Sequence, residues 1–150
     1  MNRSRRAGEP FAVVVCDLNS FKAVNDRQGH QTGDMLLRAI AKGFMDSRRS
    51  YDTVARAGGD EFAFLLPGIG EKTCAPITGT ICETVRKACL ELKIDVDVSA
   101  STGAAFYPVD GDTAEDLLRM ADRRMYSHKR KHYEELAAKV DSAFKLAGTA

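Results

Sequence analysis

The feature that most constrains the fold of this chain is a run of consecutive apolar residues near its start. Residues 11–16 read FAVVVC, with three β-branched valines in succession. A short, uninterrupted apolar run of this kind is typical of a buried central strand. It is far too short to cross a bilayer as a helix. The sequence therefore predicts a central strand that stops at Asp17, within a sheet that helices cover.

The rest of the chain alternates between helical and extended patterns. Helices are predicted over residues 20–27, 34–46 and 71–90, and from 113 or 114 onward. Strands are predicted over 53–56, 62–66 and within 96–107, with turns at 29–33 and 108–111. The inner face of the last helix is predicted to carry Leu117, Leu118, Met120, Ala121 and Met125. Residues 133–146 form an amphipathic segment with apolar side chains every four residues, at Leu136, Val140 and Phe144.

Size, charge and cysteine content limit the class of protein. The 150 residues fit one domain, and 44% apolar with 29% charged residues is the balance of a globular protein. A net charge of +1 gives no overall field that argues for nucleic acid or a membrane surface as a partner. The four cysteines form no C-x-x-C pair, so we expect buried thiols in the reducing cytoplasm. Neither a signal peptide nor a membrane anchor is evident, although a longer parent protein could carry one.

Carboxylates lie at the ends of the predicted strands. Asp17 follows the buried strand, and Asp60 and Glu61 follow the glycine pair Gly58–Gly59 of a predicted hairpin. Charged groups seldom end a core strand for packing reasons, because their desolvation is costly. Carboxylates gathered in this way suit Mg²⁺ and the phosphates that it brings. Taken alone, the hairpin sequence is also compatible with an ordinary polar turn.

The residues that follow Asp17 indicate a phosphate site. Asn19, Ser20 and Phe21 begin a predicted helix, so their backbone N–H groups could face an anion. Lys22 comes directly after them and adds a positive charge.

Six ordered blocks of the sequence resemble the GGDEF family. Residues 58–62 read GGDEF, the signature pentapeptide, and 49–52 read RSYD, similar to the family's R-x-x-D. Residues 17–26 read DLNSFKAVND and 29–34 read GHQTGD, similar to D-x-D-x-F-K-x-x-N-D and G-H-x-x-G-D. Residues 107–111 read YPVDG and 121–126 read ADRRMY, similar to Y-P-x-D-G and A-D-x-x-M-Y. The resemblance covers about residues 3–131, and six blocks at family spacing make it specific.

The resemblance implies both a fold and a reaction. The fold is α/β of the α+β kind, a nucleotidyl-cyclase-like palm whose mainly antiparallel sheet is flanked by helices, with the signature on a β-hairpin. The reaction is that of a diguanylate cyclase, in which the 3′-hydroxyl of each of two GTP molecules attacks the α-phosphate of the other. The products are cyclic di-GMP and two pyrophosphates. Because each protomer binds one GTP, the resemblance also implies a homodimer.

The resemblance assigns metal and catalytic roles to five residues. The metal ligands are Asp17, the Leu18 carbonyl, Asp60 and Glu61, which would hold two Mg²⁺ or Mn²⁺ ions per active site. The catalytic residues are Asp60, Lys22 and Glu61. Asp60 would accept the 3′-hydroxyl proton, Lys22 would stabilise charge on the phosphate, and Glu61 would support the second metal or the ribose. From the residues alone, Lys22 is also compatible with a solvated helix lysine.

The resemblance also implies a set of GTP contacts. Asn25 and Asp34 match the residues that read guanine. A carboxylate can accept both the N1–H and the N2–H of guanine, and adenine offers neither donor, so a site built this way rejects adenine. His30 lines the pocket or caps the turn, and Lys129 matches a second phosphate-binding lysine. The remaining predicted GTP contacts are Asn19, Ser20, Phe21, Gly58 and Gly59.

Arg49 and Asp52 match the family's inhibitory site for cyclic di-GMP. An arginine fork suits a phosphate or a guanine edge. From spacing alone, the two residues are also compatible with a surface ion pair. In the family, bound product recruits another arginine from the following helix. Thr84 stands nearest to that position here, with Arg86 close by, which puts tight product inhibition in doubt.

The sequence departs from the family pattern in several places. Asn19 stands where the family often has an aspartate, residues 101–103 read STG in place of S-I-G, and 131–133 read KHY in place of G-R-N. The upstream D-x-L-T-x-L-x-N-R segment is not found. We therefore expect residues 1–132 to be a catalytic domain of a longer sensor or regulatory protein, and 133–150 to be an amphipathic helix or linker. Two alternatives stay open: an inactive domain that senses cyclic di-GMP or GTP, and an interaction module whose tail docks onto another helix.

Overall fold

The computed structural model describes residues 8–148. Its elements follow the order β1 (Phe11–Asn19), α1 (Phe21–Gln28), α2 (His30–Ser47), β2 (Thr53–Gly58), β3 (Glu61–Pro67), α3 (Glu71–Glu91), β4 (Ser99–Tyr107) and α4 (Ala114–Ala147). The strands form one sheet in the order β2-β3-β1-β4, and every neighbouring pair is antiparallel. The predicted antiparallel sheet flanked by helices is confirmed, with the glycine pair at the β2–β3 hairpin.

The central strand β1 divides the core into two layers. Successive side chains of a strand point to opposite faces of its sheet. On one face, Val14, Cys16 and Leu18 pack in a large cluster with residues of α1, α2 and α3. On the other face, Phe11 and Val13 pack in a smaller cluster with residues of α4. Asp17 is an even number of residues after Phe11 and Val13, so its side chain lies on the same face of the sheet and points toward α4.

The structure corrects three local predictions. The central strand does not stop at Asp17 but continues to Asn19, because β4 pairs with it as far as Asn19 and Ser99. The predicted turn over 29–33 shrinks to Gly29, whose φ of 89° lets helix α2 begin at His30. Leu118 does not face the core: it is 46% exposed. The buried residues of α4, Leu117, Ala121 and Met125, repeat every four positions along one side of the helix, and Leu118 lies next to that side.

Helix α4 lies against β4 without intervening side chains at Gly103. A methyl group at this position would overlap the Ala121 carbonyl oxygen and the backbone of Met125. Close packing of this kind requires a glycine, because any side chain would push the helix away from the sheet. Gly103 therefore sets the distance between α4 and the sheet, and with it the position of the α4 residues that reach the end of β1.

An ion pair joins the third turn of α4 to the turn that follows β4. The two terminal guanidinium nitrogens of Arg124, Nη1 and Nη2, donate to the Asp110 carboxylate at 2.6 and 2.9 Å. Arg124 also donates to the Ala104 carbonyl at 2.7 Å, and Asp110 accepts the Phe106 N–H at 2.9 Å. These contacts join the Y-P-x-D-G block to the A-D-x-x-M-Y block. The two blocks therefore have a structural role that their sequences alone do not reveal.

Asp110→Asn is expected to lower the free energy of unfolding by about 1 to 2 kcal/mol at neutral pH, because the bidentate pair is lost while Arg124 stays partly solvated. The hydrogen bond from Arg124 holds the pKa of Asp110 below its ordinary value. The unfolded state therefore binds the proton at higher pH than the folded state, so the stabilisation is complete above the unfolded pKa and is lost as pH falls through the folded pKa.

Thermal melts of wild type and Asp110→Asn across this acidic range measure the effect, and the two curves should converge at low pH. Asp122→Asn is the control, because Asp122 is exposed on the same helix and has no ion pair within residues 8–148. Equal melting of Asp110→Asn and wild type at neutral pH would show that the pair contributes nothing.

Helix α4 runs without a break through the predicted boundary between residues 132 and 133. Its last turns make no core contact, and Tyr133, Leu136, Val140 and Phe144 are all exposed. The division into a catalytic domain and a linker stays a prediction. No helix within residues 8–148 has the length and apolar character that a bilayer crossing requires.

Candidate active site

The structure brings Asp17 and Asp60 together at one end of the sheet. Asp17 of β1 lies directly opposite Glu61 of β3, and the Leu18 N–H donates to the Asp60 carbonyl oxygen at 3.3 Å. Burial raises the pKa of the Asp60 carboxyl group, and the neighbouring Asp17 carboxylate raises it further. Two carboxyl groups this close in a partly buried place are expected of a site that shares a cation or a proton. The predicted meeting of the strand end and the hairpin is therefore observed.

The side chain of Lys129 reaches the two carboxylates from the face of the sheet that α4 covers. Its ammonium group lies 2.8 Å from Asp17 Oδ2. Burial alone would lower the pKa of Lys129, but the hydrogen bond to Asp17 and the charges of Asp17 and Asp60 raise it overall. Lys129 therefore stays protonated and supplies a positive charge next to the two carboxylates.

The second oxygen of Asp17 has no partner. Asp17 is 7% exposed, and Oδ1 is the buried side-chain oxygen within residues 8–148 that lacks any hydrogen bond. A buried, unpaired carboxylate oxygen is costly, so such an atom calls for a ligand. Residues 8–148 contain no cluster of three or more His, Cys, Asp or Glu side chains that could hold a metal alone. This donor set still fits Mg²⁺, which proteins usually bind through one or two carboxylates together with substrate phosphates.

The hairpin tip is shaped by its glycines and by an arginine. Gly59 has a φ of 40°, and added Cβ atoms at Gly58 and Gly59 would meet nothing within 4 Å, so the tip is open to a ligand. The Arg56 Nε donates to the Gly59 carbonyl oxygen at 2.8 Å and holds the peptide that precedes Asp60. Sequence reasoning missed Arg56. The sequence feature that could have indicated its role is its position on β2, four residues before Asp60.

The loop between β1 and α1 has an unusual backbone. Ser20 adopts the left-handed conformation with φ 65°, which is rare for a residue with a side chain. Its side chain makes no capping hydrogen bond to α1, while its N–H donates to the hydroxyl of Tyr133 at 3.1 Å. The Ser20 N–H, which the sequence predicts to face an anion, is therefore already paired within the chain. Phe21 is half-buried, and Lys22 is exposed on the first turn of α1 without an ion pair in the described chain. Sequence reasoning also missed Tyr133.

The predicted guanine-reading residues lie on α1 and α2, which pack side by side. The Asn25 side chain lies so close to Gly33 that a methyl group there would overlap its amide oxygen. Asp34 is the next residue along α2, and its carboxylate is exposed. His30 is the exposed first residue of α2. The structure thus brings Asn25 next to the turn that carries Asp34, and it leaves His30 free to face a ligand or solvent.

Comparison with known proteins identifies the family. The model of the family described as "Diguanylate cyclase, GGDEF domain" matches residues 1–135. The chain belongs to the GGDEF family. It is 40% identical over 119 residues to the bifunctional diguanylate cyclase/cyclic di-GMP phosphodiesterase MucR of Pseudomonas aeruginosa, a match that covers 79% of this chain and 17% of MucR. It is 37% identical over 130 residues to the diguanylate cyclase DosC of Escherichia coli, covering 85% of this chain and 28% of DosC.

A solved GGDEF structure shares the fold. The GGDEF domain of PA1120 (YfiN or TpbB) from Pseudomonas aeruginosa has a TM-score of 0.76 and 35% identity, with 87% of this chain and 82% of that chain covered. The sequence-based assignment to the family and to its fold is therefore confirmed. The chain spans less than a third of the length of MucR and of DosC, which are larger proteins.

Asn19, the departure from the GGDEF pattern in the first block, is a buried structural residue. Its amide nitrogen donates to Ser99 Oγ at 2.9 Å, and its oxygen accepts from Ser101 Oγ at 3.0 Å. Asn19 and Ser101 are each 1% exposed. The side chain therefore joins the end of β1 to β4. Only the backbone of Asn19 remains for the predicted contact with GTP.

The R-x-x-D motif of this GGDEF domain forms a closed ion pair. Arg49 donates from Nη2 to Asp52 Oδ1 at 2.8 Å and to the Pro67 carbonyl at 3.2 Å, and its guanidinium lies 4.6 Å from the Tyr51 ring centroid. Asp52 is 7% exposed. The pair is thus half-buried rather than a free surface pair. Thr84 faces Gly43 of α2, and Arg86 is exposed and paired with Glu83.

The cysteines match the prediction only in part. Cys16 and Cys74 are buried and Cys89 is half-buried, but Cys82 is exposed on α3, so the expectation of buried thiols was wrong for Cys82. Burial, followed by the charges of Cys82, Asp17 and Asp60, raises the pKa of the Cys16 thiol to about 12. Cys16 therefore stays a neutral thiol in the core, and it does not act as a metal ligand or nucleophile.

Proposed function

We propose that this GGDEF domain is an active diguanylate cyclase that condenses two GTP molecules into cyclic di-GMP and releases two pyrophosphates. The observation that carries the proposal is the buried Asp17 carboxylate, which has an unpaired oxygen and lies beside Asp60 and Lys129. A domain that had lost its chemistry would have no need to keep this costly arrangement. The names of MucR and DosC, both diguanylate cyclases, support the same reaction.

The cation site uses groups from both strands. Asp17, the Leu18 carbonyl, Asp60 and Glu61 are the proposed ligands of two Mg²⁺ or Mn²⁺ ions. When bound, such ions neutralise the triphosphate and lower the pKa of the attacking 3′-hydroxyl. The raised pKa of Asp60 and the unpaired oxygen of Asp17 both favour a bound divalent cation, since it would relieve the repulsion between them.

Each half of the reaction is an in-line displacement at phosphorus. The 3′-oxygen of one GTP forms a bond to the α-phosphorus of the other, the bond to the bridging oxygen breaks, and pyrophosphate leaves with the electron pair. Asp60 accepts the proton of the 3′-hydroxyl. Lys22 and Lys129 stabilise the charge on the phosphates, and Glu61 supports the ribose or the second cation site. A second copy of the chain supplies the facing GTP, so we propose that the enzyme acts as a homodimer.

The nucleotide pocket is proposed to read guanine through Asp34 and Asn25. The exposed Asp34 carboxylate can accept the N1–H and N2–H of guanine, and the Asn25 amide, held against Gly33, contacts the same base. His30, Ser20, Phe21, Gly58 and Gly59 complete the proposed GTP site. The guanine-reading prediction took Asp34 to be buried, whereas it is exposed in the structure, so rejection of ATP requires the bound base to exclude water from its carboxylate.

Product analysis by mass spectrometry separates this proposal from the alternative of an inactive sensor. Purified protein is incubated with Mg²⁺ and with GTP, ATP or an equal mixture of both. The proposal predicts cyclic di-GMP and pyrophosphate from GTP, no product from ATP, and no mixed dinucleotide. Binding of GTP or cyclic di-GMP without any turnover would instead support the sensor. Residues beyond this chain would supply the input signal in either case, since MucR and DosC are larger proteins.

We also propose that Arg49 and Asp52 bind cyclic di-GMP and mediate product inhibition. The half-buried guanidinium is held in place by Asp52 and Tyr51, and its Nε and Nη2 groups donate to Asp52, so a phosphate or guanine edge would replace some of these contacts when it binds the fork. Arg49→Lys keeps the charge but removes the fork, and we expect the inhibition constant for cyclic di-GMP to rise about tenfold. Arg38→Ala, an exposed change on α2, is the control. Equal inhibition curves for wild type and Arg49→Lys would rule out this site.

A further inference from the structure

The short helix α1 carries two residues of the proposed GTP site, Lys22 and Asn25, and buries a single side chain. It spans only Phe21–Gln28, it begins without a side-chain cap, and Val24 is its one buried residue. A helix of this length has little stability of its own in water, so its position depends on contacts with the rest of the fold. Whatever holds α1 in place therefore also sets the direction of the proposed phosphate and guanine contacts.

The side-chain amide of Gln28 joins the end of α1 to the loop between α3 and β4. Its Oε1 accepts the Asp95 N–H at 3.1 Å, and its Nε2 donates to the Lys93 carbonyl oxygen at 3.5 Å. Because the amide meets one backbone donor and one backbone acceptor, both of its ends are used and its orientation is fixed. Arg27 and Asp95 add an exposed ion pair at 3.5 Å, which contributes little by itself.

The loop on which Gln28 rests is itself anchored. Lys93 adopts the left-handed conformation with φ 51°, and the Ile94 N–H donates to the Cys89 carbonyl oxygen at 2.9 Å, which closes the end of α3. Leu92, Ile94 and Val96 are half-buried and pack against the larger core cluster. The loop backbone therefore offers Gln28 a support that is fixed to the core.

The Gln28 contact lies closer to the guanine-reading end of α1 than to its phosphate end. Asn25 lies one turn before Gln28, and its carbonyl oxygen accepts the Gly29 N–H at 2.9 Å, which closes the same end of the helix. Lys22 lies nearly two turns away, at the start of α1. Loss of the Gln28 hydrogen bonds is therefore expected to change the direction of Asn25 more than that of Lys22.

We propose that Gln28 is a positioning residue, which holds α1 against the α3–β4 loop and so directs Asn25 toward the guanine base. The inference rests on the proposed function, because it takes GTP as the ligand of the site. It goes beyond that function by giving a role to a residue that lies between two of the six sequence blocks, 17–26 and 29–34, and to a loop that lies in none of them.

Gln28→Met is the direct test, because methionine keeps the length of the side chain and removes both hydrogen bonds. The probes are 3′-deoxy-GTP and 3′-deoxy-ATP with Mg²⁺, which lack the attacking hydroxyl, report binding without turnover and differ from each other only in the base. By isothermal titration calorimetry, Gln28→Met should raise the dissociation constant for 3′-deoxy-GTP about five- to tenfold, as the loss of one well-oriented hydrogen bond implies. Wild type and Gln28→Met should bind 3′-deoxy-ATP equally weakly.

Steady-state turnover and a second variant add independent readouts. For Gln28→Met, KM for GTP should rise about five- to tenfold while kcat stays within about twofold, since the phosphate contacts are kept. Gln28→Glu keeps the acceptor for the Asp95 N–H and loses only the donor. Its dissociation constant for 3′-deoxy-GTP should therefore lie between those of wild type and Gln28→Met.

The control is Gln31→Met, which changes an exposed glutamine in the first turn of α2 and should bind both probes like wild type. Equal binding of 3′-deoxy-GTP by wild type and Gln28→Met would overturn the role of Gln28 and leave the proposed function standing. Equal losses for both probes would also overturn it, because they would indicate a general loosening of the site. Tight binding of 3′-deoxy-GTP by wild type without any cyclic di-GMP formation would overturn the proposed function, while the two probes would still decide the role of Gln28. Failure of wild type to bind 3′-deoxy-GTP would overturn both.

Discussion

Asp60→Asn is expected to reduce the rate of cyclic di-GMP formation about a thousandfold or more, while the protein keeps its fold. The carboxamide cannot accept the 3′-hydroxyl proton, and loss of a positioned general base alone costs this much. The same change removes one of two like charges at the end of the sheet, since burial and Asp17 raise the pKa of Asp60. The thermal midpoint of unfolding should therefore stay the same or rise.

The rate and the midpoint are measured on the same preparation, by product quantification and by thermal melting followed by circular dichroism. Asp112→Asn, an exposed change in the turn before α4, controls for the loss of one negative charge. If Asp60→Asn keeps more than about a tenth of the wild-type rate, Asp60 is not the base. If its midpoint falls sharply, the carboxylate has a structural role instead.

Gly103→Ala is expected to lower the free energy of unfolding by about 3 kcal/mol. A methyl group at Gly103 would overlap the backbone of α4 at Ala121 and Met125, and backbone atoms cannot rotate away as a side chain can. The helix must move outward. Since α4 carries Lys129, whose ammonium group lies on Asp17, we expect cyclase activity to fall as well.

Gly79→Ala is the matched change for this test. Gly79 is exposed on α3, and an added Cβ would meet nothing within 4 Å. Replacement of a helical glycine by alanine should raise the free energy of unfolding by about 0.5 to 1 kcal/mol. Urea unfolding of the two variants should therefore shift in opposite directions. A Gly103→Ala protein as stable as wild type would mean that α4 is not held against the sheet in the way described.

The sequence was sufficient for the features that depend on local pattern. The valine-rich run, the glycine pair and the helical periodicities predicted the central strand, the hairpin and the covering helices, whereas the antiparallel sheet followed from the resemblance to the GGDEF family. The end of β1 was missed because it depends on a non-local contact: Asn19 is held by Ser99 and Ser101, eighty residues or more away in sequence. Local patterning carries no information about such a partner. The same sequence therefore suggested a substrate-facing Asn19 side chain where the structure buries it.

Two site residues escaped prediction for a similar reason. Arg56 matters because its side chain turns back to the Gly59 carbonyl, which depends on the bulge between β2 and β3. Tyr133 matters because α4 continues past the expected domain end and returns its hydroxyl to Ser20. Both contacts depend on the distance and direction of elements that are fixed only when the sheet and α4 pack together.

The central claim is that Asp17 of β1 and Asp60 of the β2–β3 hairpin turn form one divalent-cation site. Electron paramagnetic resonance of Mn²⁺ titrated into the protein in the presence of 3′-deoxy-GTP measures it most directly. We expect bound Mn²⁺ in wild type and in the Asp112→Asn control, with affinity at least about tenfold weaker in both Asp17→Asn and Asp60→Asn. Unchanged Mn²⁺ affinity in these two variants would contradict it.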